Sequence, residues 1–190
     1  MVAYSSVGHM GFVVLGIAAA NASGIDGAVA QMFVHGIITG MLFFLVGMIY
    51  ERYHTKEIAK LRGIMSAVPA LGLLFTFAAF ASLGLPGLAG FIGEFTPLSG
   101  GLAVFPVTTA FAVIGMVLTA AYFLRTMQSV VFSPVEEDSA PYNGPKTMAW
   151  TELTAVVPLA TIALVMGVYP APFFAVVDPV ARTLATLVVR

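Results

Sequence analysis

The chain has 190 residues, of which 59% are hydrophobic and 9% charged, with a formal net charge of −1 and a mean hydropathy of +1.00. A soluble domain carries about 25% charged residues, so this is the composition of an integral membrane protein, and it lacks the basic surface that nucleic acid requires. The absence of cysteine excludes disulfides, thiolate metal sites and thiol catalysis, and leaves the redox compartment open.

Crossing a bilayer takes about 20 apolar residues per helix, and the pattern predicts five membrane segments. The first runs over Val2–Ala20 and ends in the polar turn Asn21–Asp26. Its opening residues do not read as a signal peptide: a basic n-region is missing, and Ser5, Ser6 and His9 interrupt the apolar core. The second covers Gly27–Tyr50, before the charged loop Glu51–Arg62. Gly36 and Gly40 on it form a small-xxx-small face around His35 that would admit another helix closely. The third, Ala67–Gly100, is too long for one straight crossing and contains the breaker Gly84-Leu85-Pro86-Gly87-Leu88-Ala89-Gly90. It is expected to be one discontinuous helix, because free backbone groups at membrane depth must be buried in protein or line a wet cavity.

The fourth segment, Val104–Phe132, starts near Pro106, and its Arg125 is expected to snorkel to the interface. The fifth is Leu153–Tyr169, bent at Pro158 and stopped at Tyr169-Pro170. Asp178 and Arg182 make the tail Ala171–Arg190 too polar to count as a sixth span. It would lie along the outer interface or dock a neighbour. His54 and the run Glu136-Glu137-Asp138 read as solvated loop residues.

Arg52, Lys56, Lys60 and Arg62 concentrate in one loop, whereas the Asn21–Asp26 and Ser99–Val104 turns hold no Lys or Arg. The positive-inside rule places the basic loop in the cytoplasm, with Tyr50, Tyr53 and Trp150 at the same interface.

Glu94 is the only charged residue between Gly63 and Leu124. An acid at membrane depth costs about 2.5–3.5 kcal/mol on insertion scales. An acid beside a broken helix is a common transport-site construction. His9 and His35 are the other ionisable groups at depth, and imidazole exchanges protons near neutral pH. At about 1.5 Å per residue from the outer turns, His9 lies roughly 17 Å in, His35 roughly 12 Å and Glu94 roughly 9 Å. That is a descending series toward the outer face. Ser5 stands one turn before His9 and Gln31 one turn before His35, so each imidazole has a polar neighbour on its own face. A structural role stands beside each functional one: the histidines as interhelical hydrogen bonders, Glu94 as the partner of a base on another helix. Phosphate-binding glycine loops, dinucleotide fingerprints, HExxH and GxSxG are all absent from the sequence. The chemistry on offer is proton or ion handling.

Four ordered motifs then carry a resemblance: Ala3-Tyr4-Ser5-Ser6-Val7-Gly8-His9-Met10-Gly11-Phe12, Gln31-Met32-Phe33-Val34-His35-Gly36, Tyr50-Glu51-Arg52-Tyr53-His54-Thr55, and Leu83-Gly84-Leu85-Pro86-Gly87 with Gly93-Glu94-Phe95. Together they resemble the antiporter-like subunit M family of proton-pumping NADH:quinone oxidoreductase, respiratory complex I (chain 4 in mitochondria). The resemblance covers nearly the whole chain and is strongest over residues 3–100.

It implies an all-α, polytopic transmembrane helix bundle of about five spans, one of them discontinuous, forming part of the second inverted repeat of the antiporter-like fold. His9 and His35 would be relay groups on a buried hydrophilic axis and Glu94 the terminal proton carrier, supported by Ser5, Gln31 and the break at Pro86. Residues 1–132 would form the proton-conducting domain, 133–151 a cytoplasmic loop, and 152–190 the last helix and tail. NADH, FMN, iron–sulfur clusters and quinone would belong to other subunits, with no cofactor, metal or redox site on this chain. Its partners would be the other membrane-arm subunits, membrane lipid and protons, in a bacterial inner membrane, with no nucleic acid.

The family protein is far longer. The first inverted repeat, its Glu–Lys pair and the central lysine find no counterpart here, so the chain is expected to be a C-terminal fragment. The alternative is a subunit of a multisubunit cation/proton (Na+/H+) antiporter or a membrane-bound hydrogenase. A membrane fragment without transport is a third.

Overall fold

A computed structural model describes residues 1–135 and 139–188; the acidic run Glu136-Glu137-Asp138 lies outside the described residues. The elements are α1 Val2–Ala19, α2 Ala22–Tyr53, α3 Ile64–Ala67, α4 Pro69–Ser82, α5 Ala89–Val104, α6 Pro106–Val130, α7 Trp150–Val168 and α8 Ala171–Val188, with a 3₁₀ turn at Ile58–Lys60 before α3. Five of them, α1, α2, α6, α7 and α8, are long and apolar enough to cross a membrane.

The connection between α1 and α2 is tighter than the sequence pattern suggests. Ala20 takes a left-handed conformation, and the Asn21 side chain caps α2 by accepting the Gly24 N–H at 2.7 Å. With its first turn satisfied in this way, the segment Ala22–Asp26 is helix rather than turn. The Asn21 amide also donates to the Gly100 carbonyl at 2.8 Å, which ties this corner to α5.

The long third segment is discontinuous, as its length requires. Its halves have 14 and 16 residues, about 21 and 24 Å at 1.5 Å per residue, each short of a roughly 30 Å hydrocarbon core. Residues 83–88 form the break. Gly84 (φ 69°) and Gly87 (φ 92°) occupy left-handed backbone there, which a side chain disfavours.

α2 is the central strut and packs against α1, α4, α5, α7 and α8. Close approach depends on missing side chains. A β-carbon at Gly27 would collide with the buried ring of Pro97, one at Gly24 with the Gly16 carbonyl, and one at Gly100 with the Gly24 backbone. Among the described residues no helix of this chain packs at Gly36 and Gly40. Neither has anything within 4 Å of an added β-carbon, so within this chain that face is open and the α2 glycines that mediate packing, Gly24 and Gly27, lie nearer its start.

Arg52 also departs from expectation. It belongs to the last turn of α2, is 3% exposed, and binds Glu152 of α7 through two nitrogens at 2.7 and 2.8 Å. A basic residue read as loop charge is a buried tie between two helices. His54 caps α2 in left-handed backbone, with its ring edge-on to Tyr50.

The tail, read as too polar for a span, is the helix α8, itself long and apolar enough to cross a membrane. α7 ends at the level of the break, where a β-carbon on Gly167 would strike the Gly87 carbonyl and Leu88. From there α8 runs beside α2: Phe173 packs on Phe33 at 5.3 Å, and Asp178 shares a groove with Asp26. The charges that argued against a sixth span pair with one another, Arg182 Nε lying 2.8 and 2.9 Å from the two Asp178 oxygens.

Candidate functional site

Three helices bring the ionisable groups together. His9 from α1 and Glu94 from α5 are buried, and Nδ1 of His9 lies 3.1 Å from Oε1 of Glu94. The His35 ring from α2 is half-buried, with its centroid 5.5 Å from that of His9. The three therefore form one cluster and not the staggered series inferred from residue counting. Helical side chains lean toward the N-terminus of their own helix. α5 begins at the break, so Glu94 reaches back toward it, while α2 runs the other way and His35 leans to meet it.

Local neighbours hold each ring. His9 Nε2 is 3.2 Å from Ser82 Oγ, the last residue of α4, and His35 Nδ1 is 3.1 Å from Thr39 Oγ1 one turn along. Neither Ser82 nor Thr39 was singled out in the sequence. Thr39 was legible, since it stands four residues after His35 on the same face. Ser82 was not, because nothing in the chain order places α4 against α1. Ser5 donates its hydroxyl to the Val2 carbonyl at 2.7 Å rather than serving His9. Pro86 lies exposed in the turn of the break, away from the cluster.

Gln31 is buried with its side-chain oxygen against Gly93 and without a hydrogen-bond partner. The second oxygen of Glu94 also lacks one; it fits against Gly84, where a β-carbon would stand in its place. His9, Gln31, His35, Thr39, Ser82 and Glu94 line one cavity of about 10 Å³, counted as volume open to a water centre. That is close to what one water molecule needs. Two buried acceptors without partners on residues that line this space make a polar pocket inside an apolar bundle.

The site can move a proton over a short path. The His9–Glu94 hydrogen bond serves either protonation arrangement: imidazolium with carboxylate, or neutral imidazole with carboxylic acid. In both arrangements Nε2 of His9 carries a hydrogen and Ser82 Oγ accepts it; Ser82 donates to Nε2 only when a neutral His9 keeps its hydrogen on Nδ1 against an ionised Glu94. A carboxylate buried without such a partner would cost several kcal/mol. Among the described residues no group of three or more His, Cys, Asp or Glu could hold a metal ion.

Residues 1–119 match the family model described as NADH:quinone oxidoreductase/Mrp antiporter, transmembrane. The chain is 43% identical over 188 residues to NADH-quinone oxidoreductase subunit M of Rhodobacter capsulatus, covering 99% of this chain and 36% of that one. Among solved structures it is similar to a chain of respiratory complex I from Thermus thermophilus with bound NADH. There the TM-score is 0.88 at 33% identity, over 98% of this chain and 38% of the other. A chain of the Mrp complex from Dietzia shares the fold, with a TM-score of 0.84 at 18% identity over 97% and 42%. The chain thus spans about a third of the length of the curated relatives it matches.

Proposed function

Because the chain belongs to the NADH:quinone oxidoreductase/Mrp antiporter transmembrane family, we propose that it translocates protons in the membrane arm of an NADH:quinone oxidoreductase. In this reading quinone reduction happens elsewhere in the assembly, and this chain carries part of the proton path through a bacterial inner membrane. NADH, flavin, iron–sulfur clusters and quinone belong to other subunits, and the remaining membrane-arm subunits are its partners.

The observation that carries the proposal is the buried His9–Glu94 pair at 3.1 Å with the His35 ring beside it. A proton delivered to His35 passes to His9 through the small cavity, and from His9 Nδ1 to Glu94 Oε1 along the existing hydrogen bond. Two imidazolium charges at 5.5 Å repel, so arrival of a proton at one histidine drives the other to give its proton up. Gln31 and Ser82 steer the transfer without ionising. Glu94, next to the break, is the group that hands the proton on.

The test is Glu94→Gln in the intact assembly, in membrane vesicles. Electron transfer is followed by NADH oxidation and proton movement by the quench of a pH-gradient dye. Proton movement is expected to fall by about tenfold or more, equivalent to about 1.4 kcal/mol in the barrier. Unchanged pumping in Glu94→Gln would remove the carrier role. The antiporter alternative shares the fold with the Dietzia complex. It would show itself as transport that depends on sodium and is indifferent to NADH and quinone.

A further inference from the structure

A second titratable cluster lies toward the Asn21 end of α2, outside the His9–Glu94 site. Asp26 is 8% exposed, and its Oδ1 has no hydrogen-bond partner. It opens into a groove of about 490 Å³ between α2, α5 and α8, lined by Ser23, Asp26, Thr96, Asp178 and Arg182. The charged groups that face Asp26 are Asp178 and Arg182, both on α8, while α5 contributes only the Thr96 hydroxyl. Arg182 is committed to Asp178 through both carboxylate oxygens, at 2.8 and 2.9 Å.

We propose that Asp26 and Asp178 share one proton, forming an acceptor site between Glu94 and the face opposite the basic loop. The charge balance requires a ligand. One guanidinium neutralises one carboxylate, and a second carboxylate facing the first is left over. Two carboxylates side by side do not both stay ionised without a counter-charge. Arg182 supplies only one, and its Nε is bonded to both oxygens of Asp178. A proton completes the set: an O–H bond forms on an Asp26 oxygen and donates to Asp178, and breaking it releases the proton to water in the open groove.

The position suits a carrier's receiver, a role that rests on the reading of Glu94 given above. Asp26 is five residues before Gln31 on α2, about 7.5 Å along the axis, and Thr96 is two residues beyond Glu94 on α5. The site therefore lies beyond the inner cavity toward the Asn21 end of α2, with Gly27 packed on Pro97 between the two. With both carboxylates ionised, Asp26 and Asp178 would repel rather than tie α2 to α8, and the presence of the shared proton is what makes the proposal testable.

The experiment is infrared difference spectroscopy on the intact assembly in membranes near pH 6, where a free aspartate of pKa about 3.9 is ionised. Wild type minus Asp26→Asn is expected to show a carboxylic-acid carbonyl band that shifts in deuterium oxide. Asp178→Asn, whose amide can donate to Asp26, is expected to abolish the band with the fold intact. Glu94→Gln is expected to leave it in place, so failure of this site and failure of the carrier role are read separately. A difference spectrum containing only ionised carboxylate bands would overturn the proposal. So would a band that disappears when sodium replaces potassium at constant pH, since the ligand would then be a metal cation.

Discussion

Gly84 and Glu94 meet across the helix break: the second carboxylate oxygen of Glu94 occupies the place a β-carbon on Gly84 would take. Gly84 also holds a positive φ of 69°. One residue thus serves two needs, turning the chain between α4 and α5 and making room for the acid. Gly84→Ala is expected to cost about 1–2 kcal/mol for the left-handed conformation and to push the carboxylate away from the break. Thermal unfolding in detergent and dye quench in vesicles should both register the change. Normal pumping in Gly84→Ala would show that the position of Glu94 is not critical.

Gln31 offers a separation of stability from transfer. Its side-chain oxygen is buried and unpaired, a state that costs about 1–3 kcal/mol. Gln31→Leu is expected to keep or raise the unfolding temperature while slowing proton movement several-fold. A variant that lost stability and kept its transfer rate would mean that Gln31 is a structural residue.

The packing of α2 predicts opposite outcomes for glycines on its two sides. Gly27→Ala drives a methyl into the Pro97 ring on α5 and should separate the helices that present Glu94 and His35. Reduced incorporation into the assembly is the expected readout. Gly36→Ala and Gly40→Ala meet nothing within 4 Å and should leave the fold of this chain intact, with up to about 1 kcal/mol gained in helix propensity at each. Equal sensitivity at all three sites would contradict the packing described.

Arg52 and Glu152 test the tie between α2 and α7. Glu152→Leu leaves a guanidinium buried without its carboxylate and is expected to destabilise by about 3 kcal/mol, the low end for breaking a buried pair. Adding Arg52→Met should recover most of that loss in the same unfolding assay, because two apolar residues need no pairing. A double variant as unstable as the single one would place the contribution elsewhere, for example in the Arg52 bonds to the Met48 and Thr147 carbonyls.

The membrane class, the break in the third segment and the three ionisable groups at depth were legible in the chain, since each rests on local composition and spacing. The last helix, α8, was not, because Asp178 and Arg182 were counted as free charges although they pair. Hydropathy is a property of a window, and a Gly-Pro-Gly run breaks a helix wherever it falls. Contacts between segments were not legible in this way. Counting residues from the turns put His9, His35 and Glu94 at three depths. The count followed backbone positions and ignored the direction in which each side chain leans.

The same limit explains Arg52, whose place in a list of loop charges says nothing of the carboxylate a hundred residues on. It explains Gly36 and Gly40 as well, a spacing that permits close packing but does not select which face receives it. The sequence by itself determined that an acid and two imidazoles would lie at membrane depth. Only the tertiary structure decided that they share one cavity, with Ser82 and Gln31 around them. Depth in the membrane is set by the apolar residues on either side of a group in the chain, whereas burial and proximity are set by how α1, α2 and α5 cross, and that depends on glycines meeting between helices.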